Sequence, residues 1–268
     1  MSLIETIQNR HSVRTYTGEP LKKEDAEAIR KYIAGLEQPL GGKARVELVG
    51  RQTEDGPVRL GTYGVISGAR DFLVLIYENG PLAEENAGYL FEQVILFCTG
   101  LGLGTCWLGG TLRQSDFAKH TRLKENEILR IVSPVGYPAG KKRLLERVMR
   151  AGAGSDNRKP FGALFFGVGF GIPMKMEMTG AYRQPLEMLR LAPSANNSQP
   201  WQVVATEGFF HFYYQDKSRF SPIDLGIALC HFGETCRELG VAGRFEVLPP
   251  GSMPVDKGSY YGVSWIIE

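Results

Sequence analysis

Residues 84–101 place Leu90, Phe91, Val94, Cys98 and Leu101 on one face at helical spacing, so the pattern predicts an amphipathic helix there. The run ends in GLGLG at 100–104, and glycine stops a helix because it accepts positive φ without steric cost. Residues 224–243 repeat the design, with Leu225, Leu229, Phe232, Cys236 and Leu239 on one face. An offset of 138 residues carries Gly88, Cys98, Leu101 and Gly102 onto Gly226, Cys236, Leu239 and Gly240. Residues 2–9 read as a short helix capped by Ser2 with Glu5 three positions on, a capping-box spacing. Residues 22–37 read as a second helix. Runs of β-branched and aromatic residues bounded by Gly, Pro and Asn predict strands at 43–50, 70–78, 127–138 and 260–268, and two more within 201–215 around a Glu-Gly turn.

These elements predict an α+β chain of two related halves, residues 1–175 and a shorter 176–268, with a seam near 171–180 and no disordered linker between them. The 268 residues, 43% hydrophobic, suffice for a real core. With 31 basic and 29 acidic side chains the net charge is +2, which argues against a dedicated nucleic-acid binder. The densest basic patch, residues 140–150, reads as a solvated helix face. No secretory leader is apparent at the N-terminus, and the longest apolar run, residues 162–174, is too short and glycine-rich to span a bilayer. Cys98, Cys106, Cys230 and Cys236 form no Cys-x-x-Cys pair, and of the four His only His231 stands beside a cysteine, Cys230. No metal site and a reducing, cytoplasmic location are therefore expected.

Three stretches bear on chemistry. RHSVR puts Arg10, Ser12 and Arg14 on one side of an extended chain. Two guanidiniums and a hydroxyl there suit an anion or phosphate, and the plain alternative is a solvated loop. GLGLGTCWLGG at 100–110 lacks the dinucleotide fingerprint, because Trp107 stands where its third glycine would fall and the loop follows a helix instead of a strand. APSANNSQPW at 192–201 is either a structured turn before a strand or a ligand loop, since it carries more amides and hydroxyls than a turn requires. No nucleophile elbow and no clear carboxylate pair are apparent, which fits a cofactor doing the chemistry.

Taken together, RHSVRTYTGEPL, APSANNSQPW, GLGLGTCWLGG, IVSPVGYPAGKKR and NRKPFGALFF resemble the FMN-dependent nitroreductase superfamily, and in particular nitroreductases whose single chain carries a duplicated unit. The resemblance implies a nitroreductase-like α+β fold of two pseudo-symmetric halves, each a central sheet flanked by helices, mimicking the family's dimer in one chain. Ordinary members carry the Ser/Asn-Gln-Pro-Trp loop before the central helix, where this chain reads PLGGK at 39–43. The loop here comes in the second half. One complete flavin site per chain, with its symmetry mate degenerate, follows as the expectation.

By the same resemblance Arg10, His11, Ser12 and Arg14 form the N-terminal flavin motif, with Arg10 toward the phosphate and Arg14 toward the N1/O2 edge. Pro193, Ser194, Ala195, Asn196, Asn197 and Gln199 line the ring and ribityl chain. Leu108, Gly109 and Gly110 form the turn whose N–H approaches N5, and Arg158 contacts the phosphate. Asp156 stands where a second basic residue is common, and small residues near 61–64 replace a polar one. The implied activity is hydride transfer from NADH or NADPH to FMN and on to a nitroaromatic, quinone or similar acceptor. No catalytic side chain is assigned, because the chemistry belongs to FMN. The implied partner is a small-molecule acceptor, without nucleic acid or membrane, and a monomer is expected. The alternatives are a non-catalytic flavin sensor or carrier, or another flavin reaction such as dehalogenation, because fold does not fix function.

Overall fold

The computed structural model describes residues 1–50, 52–53, 56–57, 64–110, 117–118, 120–140 and 157–268. The basic stretch at 141–150, Asp156 and residues 61–63 lie outside the described residues. From the N-terminus the chain runs α1 (Leu3–Asn9), α2 (Lys23–Ala34), β1 (Ala44–Gly50), β2 (Asp71–Glu78), α3 (Ala83–Gly100), β3 (Gly104–Thr105) and β4 (Glu127–Gly136). Then come β5 (Phe165–Gly167), α4 (Arg183–Arg190), β6 (Trp201–Thr206), β7 (Phe209–Gln215), α5 (Ser221–Leu239), β8 (Gly243–Glu246) and β9 (Ser259–Ile267). Ser2 closes a full capping box on α1, its hydroxyl accepting from the Glu5 N–H while Glu5 accepts from the Ser2 N–H.

The architecture is mixed helix and sheet. Two sheets flank a central pair of helices, α3 and α5. The first sheet has the order β1-β2-β4-β3, antiparallel throughout. In the second, β6-β7-β9-β8 repeats that order, also antiparallel. One strand breaks the correspondence. β5, which precedes the seam expected at 171–180, crosses over to pair in parallel with β6. Strand β2 is apolar at consecutive positions because both its faces are covered. Leu73, Leu75 and Tyr77 join the main core, while Phe72, Val74 and Ile76 join a second cluster with Val13, Tyr16, Cys106 and Leu108.

Helices α3 and α5 differ from the amphipathic expectation. Sandwiched between two sheets and against each other, they are buried nearly all round, including Glu85, Asn86, Glu92 and Gln93 on α3 and Asp224, His231 and Glu234 on α5, as a helix without a solvent face must be. The expected core positions Leu101 and Leu239 are exposed, at 40% and 45%, because each lies at its helix's C-terminal end, where the chain turns away. Helix α5 begins at Ser221, three residues before the expected start, with Pro222 in its first turn where a missing N–H costs nothing.

The offset of 138 residues recurs in detailed geometry. A Cβ on Gly88 would stand 2.3 Å from the Ile223 carbonyl oxygen, and one on Gly226 would stand 1.9 Å from that of Glu85. The same offset relates Glu85 to Ile223, so the contact is reciprocal, the form that a two-fold axis produces. Helix ends match as well. Leu103 N–H donates to Cys98 O and Val241 N–H to Cys236 O, closing over Gly102 and Gly240 at φ 78° and 67°, the left-handed C-terminal stop. All four cysteines are free and buried. No helix among the described residues is long and apolar enough to cross a membrane.

The helix crossing tolerates no side chain at its closest points. Gly226→Ala and Gly88→Ala are each expected to lower unfolding stability by at least about 2 kcal/mol, measured as a urea midpoint shift at unchanged slope. Gly100→Ala, where a Cβ meets no atom within 4 Å, is the control and should hold or gain stability; equal losses at all three positions would contradict the close approach.

Candidate functional site

The N-terminal motif is extended and laid against the first sheet. Val13 N–H donates to Thr105 O at 2.8 Å, Ser12 bridges Thr105, and Ser67 N–H donates to Arg14 O at 2.9 Å. Val13 turns into the second core cluster, which leaves Arg10, Ser12 and Arg14 to alternate away from it, as the sequence pattern implies. The Nε atoms of Arg10 and Arg14 are buried and make no hydrogen bond among the described residues. Arg10 Nε lies 3.9 Å from Glu92 Oε1. His11 is exposed, with Nδ1 3.0 Å from the Asn9 carbonyl oxygen.

The glycine turn follows β3 and is therefore beside that motif. Leu108 is anchored at both backbone groups, its N–H donating to Val132 O at 2.9 Å and its carbonyl accepting from Val132 N–H at 3.0 Å. Of the turn expected to bring an N–H to a ligand, the Leu108 N–H is therefore committed to Val132. Gly109 and Gly110 make no backbone hydrogen bond among the described residues. Gly109 lies against Phe220, since a Cβ there would come within 2.6 Å of that ring. Its carbonyl is 3.5 Å from Arg219 Nη2.

The amide-rich loop between α4 and β6 is backbone-strained. Asn196, Asn197 and Gln199 have φ of 53°, 54° and 46°, a region that costs a non-glycine residue roughly 1 kcal/mol or more, least for Asn. The loop holds this shape through its own side chains. Ser194 Oγ accepts from Gln199 N–H at 2.9 Å. Gln199 is buried; its Oε1 accepts from Lys159 N–H at 2.8 Å, and its Nε2 donates to Asn197 O at 3.2 Å. Ser194 and Gln199, expected to line a ligand, thus have these polar groups engaged in shaping the loop. Arg158 donates to Asn197 Oδ1 at 3.2 Å and to Leu191 O at 3.1 Å, so this basic residue and the loop are brought together. Lys159 Nζ donates to Gln199 O at 2.9 Å, and burial, with Lys217 nearby, pulls its pKa down. Pro193 and Ala195 are partly buried and Asn196 is exposed.

The sequence reading missed the residues that tie these pieces together. Asp224, in the first turn of α5, sets both carboxyl oxygens at 3.0 and 3.1 Å from the Ala195 N–H. At the 138-residue offset stands Asn86, which instead donates its side-chain amide to the side-chain Oε1 of Gln38, in the loop before β1, at 2.8 Å. Residues 220–224 therefore have the glycine turn at Phe220 and the amide loop at Asp224. Glu92 on α3 is the second tie. Its Oε2 accepts from the Trp107 indole at 2.8 Å, and its Oε1 lies 2.9 Å from His231 Nε2. The signal for both was an ionisable residue inside an otherwise apolar helix. Among the described residues no group of His, Cys, Asp and Glu is placed to hold a metal.

Burial raises the Asp224 carboxyl from 3.8 to about 8, against the Ala195 bond, which lowers it. Between those values the folded protein keeps a proton that the unfolded chain has lost. This contribution to stability is complete below about pH 4 and is lost as pH rises through about 8. Thermal unfolding from about pH 5 to about pH 9 should show a decline in stability that Asp224→Asn flattens, because Asn keeps the acceptor and cannot ionise. Parallel profiles for the two proteins would remove Asp224 as the source.

The family described as "Putative TM nitroreductase" matches residues 2–235. Among solved structures the chain is similar to a "putative nitroreductase" from Thermotoga maritima, at 22% identity and a TM-score of 0.63, over 100% of this chain and 94% of that one. It is also similar to a nitroreductase family protein from Clostridium difficile 630, at 16% identity and a TM-score of 0.44, over 61% of this chain and 96% of that one. An FMN-dependent nitroreductase from Clostridium difficile R20291 aligns at 17% identity and a TM-score of 0.39, over 52% of this chain and 90% of that one. No curated protein matches. The Thermotoga likeness bears on the fold, and the family match, which spans most of the chain, places it among enzymes: this chain belongs to the Putative TM nitroreductase family and is an oxidoreductase of that family.

Proposed function

We propose that this chain binds FMN and uses NADH or NADPH to reduce a nitroaromatic, quinone or similar acceptor. The observation that carries the reading is the placement of residues 220–224, with the glycine turn against Phe220 and the amide loop hydrogen-bonded to Asp224. Two segments far apart in sequence, at Gly109 and Ala195, thereby converge on one helix start. The residues fit an anionic, planar cofactor. The buried Nε atoms of Arg10 and Arg14 lack hydrogen-bond partners among the described residues, the Gly109 and Gly110 N–H groups make no backbone bond there, and Asn196 is held in a strained, exposed position. When bound, FMN supplies the two-electron chemistry between nicotinamide and acceptor.

The chain's own residues position, desolvate and supply charge. In this reading Arg14 places a cation at the N1/O2 edge of the ring, where reduction adds negative charge. Arg10 and Arg158 face the phosphate. Gly109 and Gly110 offer N–H donors at the ring's N5 side, and Asn196 and Asn197 line the ribityl chain. We read residues 1–175 and 176–268 as the two halves of an internal duplication, with the α3–α5 crossing standing in for a subunit interface and one flavin site per monomeric chain. The repeated strand order and the reciprocal glycine contacts support that reading.

Protein purified with FMN is expected to keep a bound-flavin absorption spectrum that bleaches on mixing with NADH or NADPH and returns on addition of a quinone or nitroaromatic. Flavin that binds but does not bleach would leave a carrier, and absence of bound flavin would end the reading. Arg14→Ala is expected to weaken FMN binding about tenfold or more, as loss of a charge-assisted contact does; an unchanged dissociation constant would remove Arg14 from the site.

A further inference from the structure

Glu92 and His231 are both fully buried and meet across the α3–α5 crossing. His231 Nε2 is 2.9 Å from Glu92 Oε1, and His231 Nδ1 is 2.9 Å from the Met188 carbonyl oxygen on α4. A carbonyl and a carboxylate only accept, and a neutral imidazole has one N–H to give. Both contacts are satisfied together only when the pair holds one proton more than a neutral histidine beside a carboxylate. The Trp107 indole, donating to Glu92 Oε2 at 2.8 Å, favours the ionised carboxylate and so puts that proton on the ring.

Arg10 approaches the same carboxylate from the N-terminal motif, its Nε 3.9 Å from Oε1 and in no hydrogen bond. An anionic Glu92 without a charged histidine would turn to Arg10 for compensation, because an uncompensated buried charge is costly. With the imidazolium in place, Glu92 is neutralised by His231. We propose that Glu92 and His231 are positioning residues: the pair holds a proton on His231 Nε2 and thereby leaves the Arg10 cation free to act on an anionic cofactor. The Glu92 carboxylate also fixes Trp107, the residue before Leu108 of the glycine turn, and His231 fixes Met188, three residues before the Leu191 carbonyl that Arg158 grips. The part concerning the cofactor rests on the flavin reading above.

The proton is tested without flavin. Nitrogen-15 spectra of the histidine-labelled protein should show both His231 ring nitrogens protonated, and an unprotonated Nε2 overturns the proposal. The charge is tested on the FMN-loaded protein. His231→Gln leaves Glu92 anionic against Arg10, the cation that faces the phosphate, so the affinity for FMN should fall about tenfold. The double variant His231→Gln with Glu92→Gln removes that negative charge and should restore the wild-type affinity. A merely structural pair would not be rescued by a second substitution, so an unchanged affinity in the single variant, or no rescue in the double, overturns the proposal. Should His231→Gln fail to fold, the nitrogen spectra of the wild type decide. Wild-type protein that binds no FMN would remove the flavin reading and leave the proton test standing.

Discussion

Two helices can approach to backbone contact only where neither carries a side chain, and the rest of this molecule is arranged around one such place. At Gly88 and Gly226 the backbones of α3 and α5 come so close that a methyl group on either would overlap a carbonyl oxygen of the other helix. That approach holds the two helices as one layer, and each sheet packs on its own side of it. The start of α5 then lies where the glycine turn of the first sheet can reach Phe220 and the amide loop of the second can reach Asp224. A looser crossing would separate those two contacts, because α5 is their shared support.

Local features were legible in the sequence and contacts at long range were not. The Ser2 cap and the glycine stops after both long helices depend on residues within a few positions of each other, and all were readable. The 138-residue offset was visible as a few shared residues. Its physical meaning, a backbone-to-backbone contact, lies between Glu85 and Gly226 and needed the fold. The wrap-around burial of α3 escaped the periodicity argument because a helix covered on all sides hides its polar residues as well. Leu101 and Leu239 obeyed the helical spacing and are nonetheless exposed, since spacing does not say where a helix outruns its partner.

The candidate site shows the same division. RHSVR was read as an alternating face, and Val13 turns inward between its polar neighbours as that predicts. Gln199 and Leu108 were assigned to a ligand by analogy of position, but the structure commits the Gln199 amide to Lys159 and Asn197 and the Leu108 N–H to Val132. Nothing in the local sequence distinguishes an amide that builds a loop from one that the loop displays. Glu92 and His231 are 139 residues apart; each alone is an odd residue in an apolar helix, and only together do they constitute an electrostatic device.

A contact formed by two identical subunits must repeat every residue, so a charge placed on one side of the axis is placed on the other as well. Here the two helices that meet, α3 and α5, approach at Gly88 and Gly226 and differ in sequence. At the offset that equates Gly88 with Gly226, Glu92 corresponds to Cys230 and His231 to Gln93. A carboxylate can therefore face an imidazole across the crossing without a second copy of the pair being buried beside it. Because α3 and α5 are different sequences within one chain, their crossing carries a polarity that two identical helices related by an axis could not, and gives the protein a distinguishable left and right hand at its own centre.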